Sequence, residues 1–216
     1  MSNMEKTSFK SLHKNRILFI EKNKNKDHAI ISGINNFLIS APHGVSQVRL
    51  GKLKHSEIGS LTTALQLQKD NDCYLIAKTK NNYDDANFDE VSKYKNSIKN
   101  LIKNKDIKYL IDIHGLASSR ECDINLGTHL GKNIKSNIDV FNNLQQSLQN
   151  AGFKVAIDQP FMAGSRTISG SINNEFNIWT IQIEINSSIT NKKENFNRFK
   201  ILLQTLNNWL QNIKKL

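Results

Sequence analysis

The chain reads as an α/β sandwich built on a mostly parallel sheet, and two features of the sequence point there. Apolar, β-branched runs of strand length alternate with segments whose apolar residues recur at helical spacing. Polar and charged residues gather at the ends of the apolar runs, where ligands of parallel sheets bind. The expected strands are Arg16 to Glu21, Phe37 to Ala41, Cys73 to Lys78, Tyr109 to Ile113, Lys154 to Ile157 and Trp179 to Ile185. Between them, Ser56 is expected to cap a helix reaching about Gln68, with Ile58, Leu61 and Leu65 on one face. Further helices are expected over Phe88 to Lys103, Ile138 to Asn150 and Lys193 to Ile213, the last with an inner stripe that includes Phe199, Leu202, Leu206 and Trp209.

The 216 residues suit one domain spanning 1–216, with neither internal repeat nor linker. Two Pro and 10 Gly exclude collagenous and Pro-rich linker classes, and 38% hydrophobic residues argue against disorder. No apolar run approaches the roughly 20 residues that span a bilayer. The basic N-terminal segment lacks an apolar stretch behind it, and Cys73 and Cys122 read as reduced thiols, so a cytoplasmic protein is expected. Thirty Lys+Arg against 19 Asp+Glu give a net charge of +11, which raises nucleic acid as a partner. The Lys are scattered among Asn and Ile and only five residues are Arg, so the charge reads as solvated surface and nucleic acid is not the expected ligand. Three of those Arg, Arg49, Arg120 and Arg166, fall in glycine-containing loop segments.

The strand ends carry the chemistry. In Tyr109 to Gly115 the period of two puts Asp112 and His114 on one side, either as a buried hydrogen-bonded pair or as a metal-binding His oriented by a carboxylate. In Trp179 to Ile185, Ile181, Ile183 and Ile185 oppose Gln182 and Glu184. On an edge strand that alternation is ordinary, whereas on an interior strand Glu184 is a sheltered carboxylate with a raised pKa, suited to a general base. Pro42 ends the second strand directly before His43. Two His and a carboxylate from separate segments make a zinc site conceivable, and Glu57 is the preferred third ligand, although a Glu in the first turn of a helix also suits the macrodipole. His55 is a weaker candidate, and His13, His28 and His129 read as surface residues.

The set Ala41-Pro-His-Gly, Lys54-His-Ser-Glu57, Asp85-Ala-Asn87, Asp112-Ile-His-Gly-Leu, Arg120-Glu-Cys-Asp123-Ile-Asn-Leu-Gly127 and Gln182-Ile-Glu-Ile resembles, in the same order, the N-formylglutamate amidohydrolase family. That family is similar to zinc carboxypeptidases and to phage poly-γ-glutamate hydrolases. The resemblance covers about residues 38–190. It implies a three-layer αβα sandwich with a mostly parallel mixed sheet and one Zn2+ per chain. It also implies hydrolysis of an amide bond in a small-molecule or peptide-like substrate bearing a carboxylate. Position by position, it implies His43, Glu57 and His114 as metal ligands, Asp112 behind His114, and Glu184 as the base. Arg120, Asp123, Asp85 and Asn87 match substrate-side positions, and Arg166 lies in a loop that is glycine-rich in the family. Arg120 or Arg166 then stabilises the oxyanion while the other holds the substrate carboxylate. From other classes, a non-catalytic binding module on the same fold and a basic nucleic-acid binder are the alternatives. No GxSxG, Walker or GxGxxG pattern supports a serine hydrolase or a nucleotide enzyme.

Overall fold

A computed structural model describes residues 7–214. The first element is a helix, α1 (Phe9–Asn23), closed at its start by a capping box between Ser8 and Ser11. The strand expected over Arg16 to Glu21 lies inside it. Leu12 is buried, and Phe19 and Ile20 pack on the same core, so the local apolar run forms part of a helical face. The edge strand is instead β1 (His28–Ile31), followed by β2 (Phe37–Ala41). A hairpin, β3 (Gln47–Arg49) and β4 (Lys52–Lys54), turns through Leu50 and Gly51, both at positive φ, and leads into α2 (Ile58–Asn71). Glu57, not Ser56, stands at the N-cap of α2 and makes no capping hydrogen bond with its side chain.

Then come β5 (Tyr74–Lys78), α3 (Lys93–Asn104), β6 (Tyr109–Leu116) and β7 (Ile124–Gly127). Helix α3 starts later than Phe88 because the Ser92 side chain caps it, which leaves residues 88–91 to a loop. The chain continues through α4 (Ile138–Asn150), β8 (Val155–Ile157), α5 (Ile168–Phe176) and β9 (Trp179–Asn186). A short α6 (Ser187–Thr190) and α7 (Phe196–Ile213) follow, with residues 193–195 in a 3-10 turn ahead of α7.

The main sheet has seven strands in the order β1-β5-β2-β6-β9-β7-β8. β5, β2, β6 and β9 are mutually parallel, β1 runs against β5, β7 runs against β9, and β8 is parallel to β7. This is the expected three-layer, mostly parallel mixed sandwich. On one face Ile111, Ile113, Ile181, Ile183 and Ile185 join a core with Leu61, Leu67, Leu144, Leu148, Leu206 and Trp209 from α2, α4 and α7. On the other face Leu38, Ile76 and Leu110 meet Tyr94 and Ile98 of α3 and Ile168 and Ile172 of α5. Each fully buried Ile contributes roughly 1.5–3 kcal/mol, so the Ile row of β9 anchors that strand at the centre of the sheet. Among the described residues no helix is long and apolar enough to cross a membrane.

Helix α5 packs its first turn against the loop before it. A Cβ added at Gly170 would lie 2.2 Å from the Gly164 carbonyl oxygen, and backbone cannot step aside as a flexible side chain can. Gly170→Ala is expected to cost about 1–3 kcal/mol and lower the Tm by several degrees in calorimetry. An unchanged Tm would show that the loop carrying Arg166 is not held by this packing.

Candidate active site

The α3/α5 face of the sheet turns polar at the carboxyl ends of its central strands. Strand β9 lies between β6 and β7, so Glu184 is on an interior strand and the edge-strand explanation of its alternation does not apply. Register puts Asp112 opposite Gln182, His114 opposite Glu184, and Asn125 opposite Glu184 on the other side. Side chains of such cross-strand neighbours stand side by side on one face.

His43 comes from the turn just after β2, and Glu57 from the N-cap of α2. His43 Nδ1 is 2.8 Å from Glu57 Oε1, and His114 Nδ1 is 3.6 Å from Glu57 Oε2. The two Nδ1 atoms are 3.2 Å apart. The outer nitrogens face carboxylates: His43 Nε2 is 3.0 Å from Asp85 Oδ1, and His114 Nε2 is 2.9 Å from Asp112 Oδ2. With each Nε2–H donating to its carboxylate, both Nδ1 atoms can offer lone pairs inward. Two lone pairs and a carboxylate oxygen at these distances repel unless a proton or a metal ion lies among them. Donor atoms of His43, Glu57 and His114 fall within 4.8 Å of one another, so the group can hold a metal ion, and two imidazoles with one carboxylate suit zinc.

The backbone serves the same group. Gly115 N–H donates to Glu57 Oε2 at 2.8 Å, and a Cβ added at Gly115 would lie 3.0 Å from the Glu57 Cβ, close enough to press on that side chain. Burial disfavours a charged His43, yet Glu57 and Asp85 more than offset this and raise its pKa. Burial opposes His114 likewise, and Asp112 outweighs it, so His114 titrates well above the ordinary histidine range. Glu57 and Asp85 are held well below the usual carboxylate range, against burial, chiefly by His43. Glu184 goes the other way: burial, with Glu57 adding repulsion, pushes it up to about 7 against the pull of His114 and His43. Gln182 fixes it, donating Nε2–H to Glu184 Oε1 at 2.7 Å.

These groups face a cleft of about 700 Å3, also lined by Asn87, Arg120, Arg166 and His55. Asp85 and Asp112 are fully buried behind the histidines, so Asp85, expected on the substrate side, faces His43 and Arg49 and does not line the cleft. Asp123, expected on the substrate side, does not line the cleft: it precedes β7, and its Oδ2 accepts from Lys154 N–H at 2.8 Å and from Arg198 at 2.6 Å. Nor is His28 a free surface residue, since it is half-buried between Asp27 and Ser97; His13 and His129 are also half-buried.

Sequence reasoning left several contributors without a role. Arg49, singled out there in a glycine-containing loop segment, closes strand β3, and its Nε donates to Asp85 Oδ2 at 2.7 Å. Buried Lys95 donates to the carbonyls of Asp89 and Arg166 at 2.6 and 2.7 Å, and its place beside Tyr94 and Ile98 on the inner face of α3 marked it. Phe88 lines the cleft and carried no signal at all.

No protein-family model matches the chain, and no curated protein matches it significantly. Solved structures do match in fold. An N-formylglutamate amidohydrolase from Ralstonia eutropha superposes with a TM-score of 0.62 at 11% identity, over 88% of this chain and 98% of that one. A bacteriophage poly-gamma-glutamate hydrolase gives a TM-score of 0.53 at 12% identity, over 90% and 95%. A metallo-carboxypeptidase from Burkholderia cenocepacia gives 0.54 at 8% identity, over 93% and 69%. The chain therefore has the fold shared by these hydrolases.

Proposed function

We propose that this chain is a zinc-dependent hydrolase that cleaves an amide bond in a small or peptide-like substrate bearing a carboxylate. The observation that carries the proposal is the convergence of two carboxylate-backed His Nδ1 atoms and Glu57, beside a glutamate whose pKa is pushed up to about 7. The fold likeness to amide-cleaving enzymes supports it. His43, Glu57 and His114 would hold one Zn2+. Zinc bound there supplies Lewis acidity, which brings the pKa of a water towards about 7 and polarises a carbonyl.

The chain's own residues do the rest. Asp85 and Asp112 keep both imidazoles in the tautomer that turns Nδ1 inward. Glu184, near neutrality in its affinity for a proton, takes one from the attacking water and delivers it to the leaving amine. One of Arg120 and Arg166, both on the cleft wall, stabilises the oxyanion, and the other forks onto the substrate carboxylate.

The test is metal content. Wild type purified without added metal is expected to carry about one zinc per chain, and His114→Ala to lose it. Protein that takes up no zinc even when offered it removes the hydrolase mechanism and moves a non-catalytic binding role to the front.

A further inference from the structure

Segments far apart in sequence meet at Phe88. The central guanidinium carbon of Arg49, from β3, is 5.0 Å from the ring centroid, and that of Arg166, from the loop before α5, is 4.9 Å away. All three residues line the cleft that holds the candidate metal group.

Arg49 is partly neutralised, because its Nε donates to Asp85 Oδ2, but that carboxylate is shared with His43. Among the described residues the Arg166 side chain makes no hydrogen bond or ion pair, and its guanidinium lies over the Phe88 ring. The roots of the assembly are fixed. The Arg166 carbonyl accepts from buried Lys95 Nζ at 2.7 Å, and Phe88 N–H donates to the Asp85 carbonyl at 2.9 Å. Two guanidiniums that meet one aromatic ring on the cleft wall, Arg166 with no hydrogen-bond partner among the described residues, offer the forked donors that a planar anion takes.

We propose that Arg49 and Arg166, seated on Phe88, form the clamp for the substrate carboxylate, with Phe88 as the positioning residue. This rests on the hydrolase reading above and deepens it: the clamp takes both of these Arg for the carboxylate and leaves Arg120 for the carbonyl oxygen. Substrates whose carboxylate is replaced by a neutral amide are rejected.

Calorimetric titration of zinc-loaded protein with glutarate, and with glutaramide as the uncharged control, tests the clamp. Glutarate is expected to bind and glutaramide not. Phe88→Leu should weaken glutarate about tenfold with zinc content unchanged, and Phe88→Tyr, which keeps a π face, should restore it. In turnover, Phe88→Leu should raise KM with kcat nearly constant. If Phe88→Leu fails to fold, Arg166→Gln carries the same expectation, since that side chain has no hydrogen bond to lose. Wild-type protein that ignores glutarate or binds glutaramide equally well overturns the clamp. So does glutarate affinity that survives in both variants, which would put the carboxylate on the metal. Wild-type protein that takes up no zinc sinks the hydrolase reading instead, and the same titration on that metal-free protein still decides the clamp.

Discussion

Glu184→Gln is expected to cut turnover by about 10²- to 10⁴-fold while zinc stays bound. The substitution is nearly isosteric and keeps an oxygen for the Gln182 amide, so the loss isolates the proton-transfer role. The same variant should be more stable than wild type when both are metal-free at neutral pH. Burial raises the Glu184 pKa from 4.5 to about 7, so the folded state holds a proton that the unfolded state releases. Wild-type stability then falls as pH rises through that interval, by up to about 3 kcal/mol, whereas the amide does not titrate. Chemical denaturation of both proteins should give equal stabilities near about pH 4 and a gap in favour of Glu184→Gln near about pH 8. Wild-type turnover in the variant would remove Glu184 as the base, and loss of zinc would move it into the ligand set.

Stripping zinc should lower the Tm, and the drop should grow with pH. In the metal-free protein, the raised pKa values of His43 and His114 mean that neighbouring carboxylates stabilise their charged forms. That stabilisation is complete below the unfolded histidine value of 6.5 and is lost as pH rises through the folded values. Zinc at this site would have to displace those protons, so it would bind weakly in acid and tightly in base. At a thousandfold excess over its dissociation constant, a ligand of the folded state adds about 4 kcal/mol, or about 8–16 °C for a chain of this size. Thermal scans with and without chelator from about pH 5.5 to about pH 8 should therefore diverge steadily. A constant gap would mean that the histidines do not titrate against the metal, and no gap would mean that there is no site.

The residues that made the site legible were polar side chains in places that apolar ones normally fill. Asp112, His114 and Glu184 interrupt strands whose other positions are Ile and Leu, and a period of two is enough to say which of them share a face. His43 was legible because Pro42 ends the strand before it. The strand misassigned over Arg16 to Glu21 shows the limit: a short apolar run fits both periods, and the cap at Ser8 that decides for a helix lies outside it. Asp123 was placed by its order in a motif, but it stands one residue before β7, where its side chain serves Arg198 instead. Strand β7 escaped notice because it is four residues long with Asn125 inside it. The meeting of Arg49, Phe88 and Arg166 depends on the β3–β4 hairpin and two loops whose paths no local pattern encodes.

The pairing of His114 with Glu184 across β6 and β9 has a consequence for how molecules of this protein can fail. All three candidate zinc ligands come from outside β9, whereas the base comes from β9 itself. If β9 zipped up one residue out of step, Ile183 or Ile185 would take the place of Glu184 and the whole Ile row would face the wrong layer. Such a chain would keep its ligands and lose its base, with no intermediate rate available to it. In a refolded preparation, the shortfall of active molecules relative to zinc-loaded ones would then count the mis-zipped fraction, and an enzyme assay would double as a census of strand pairing.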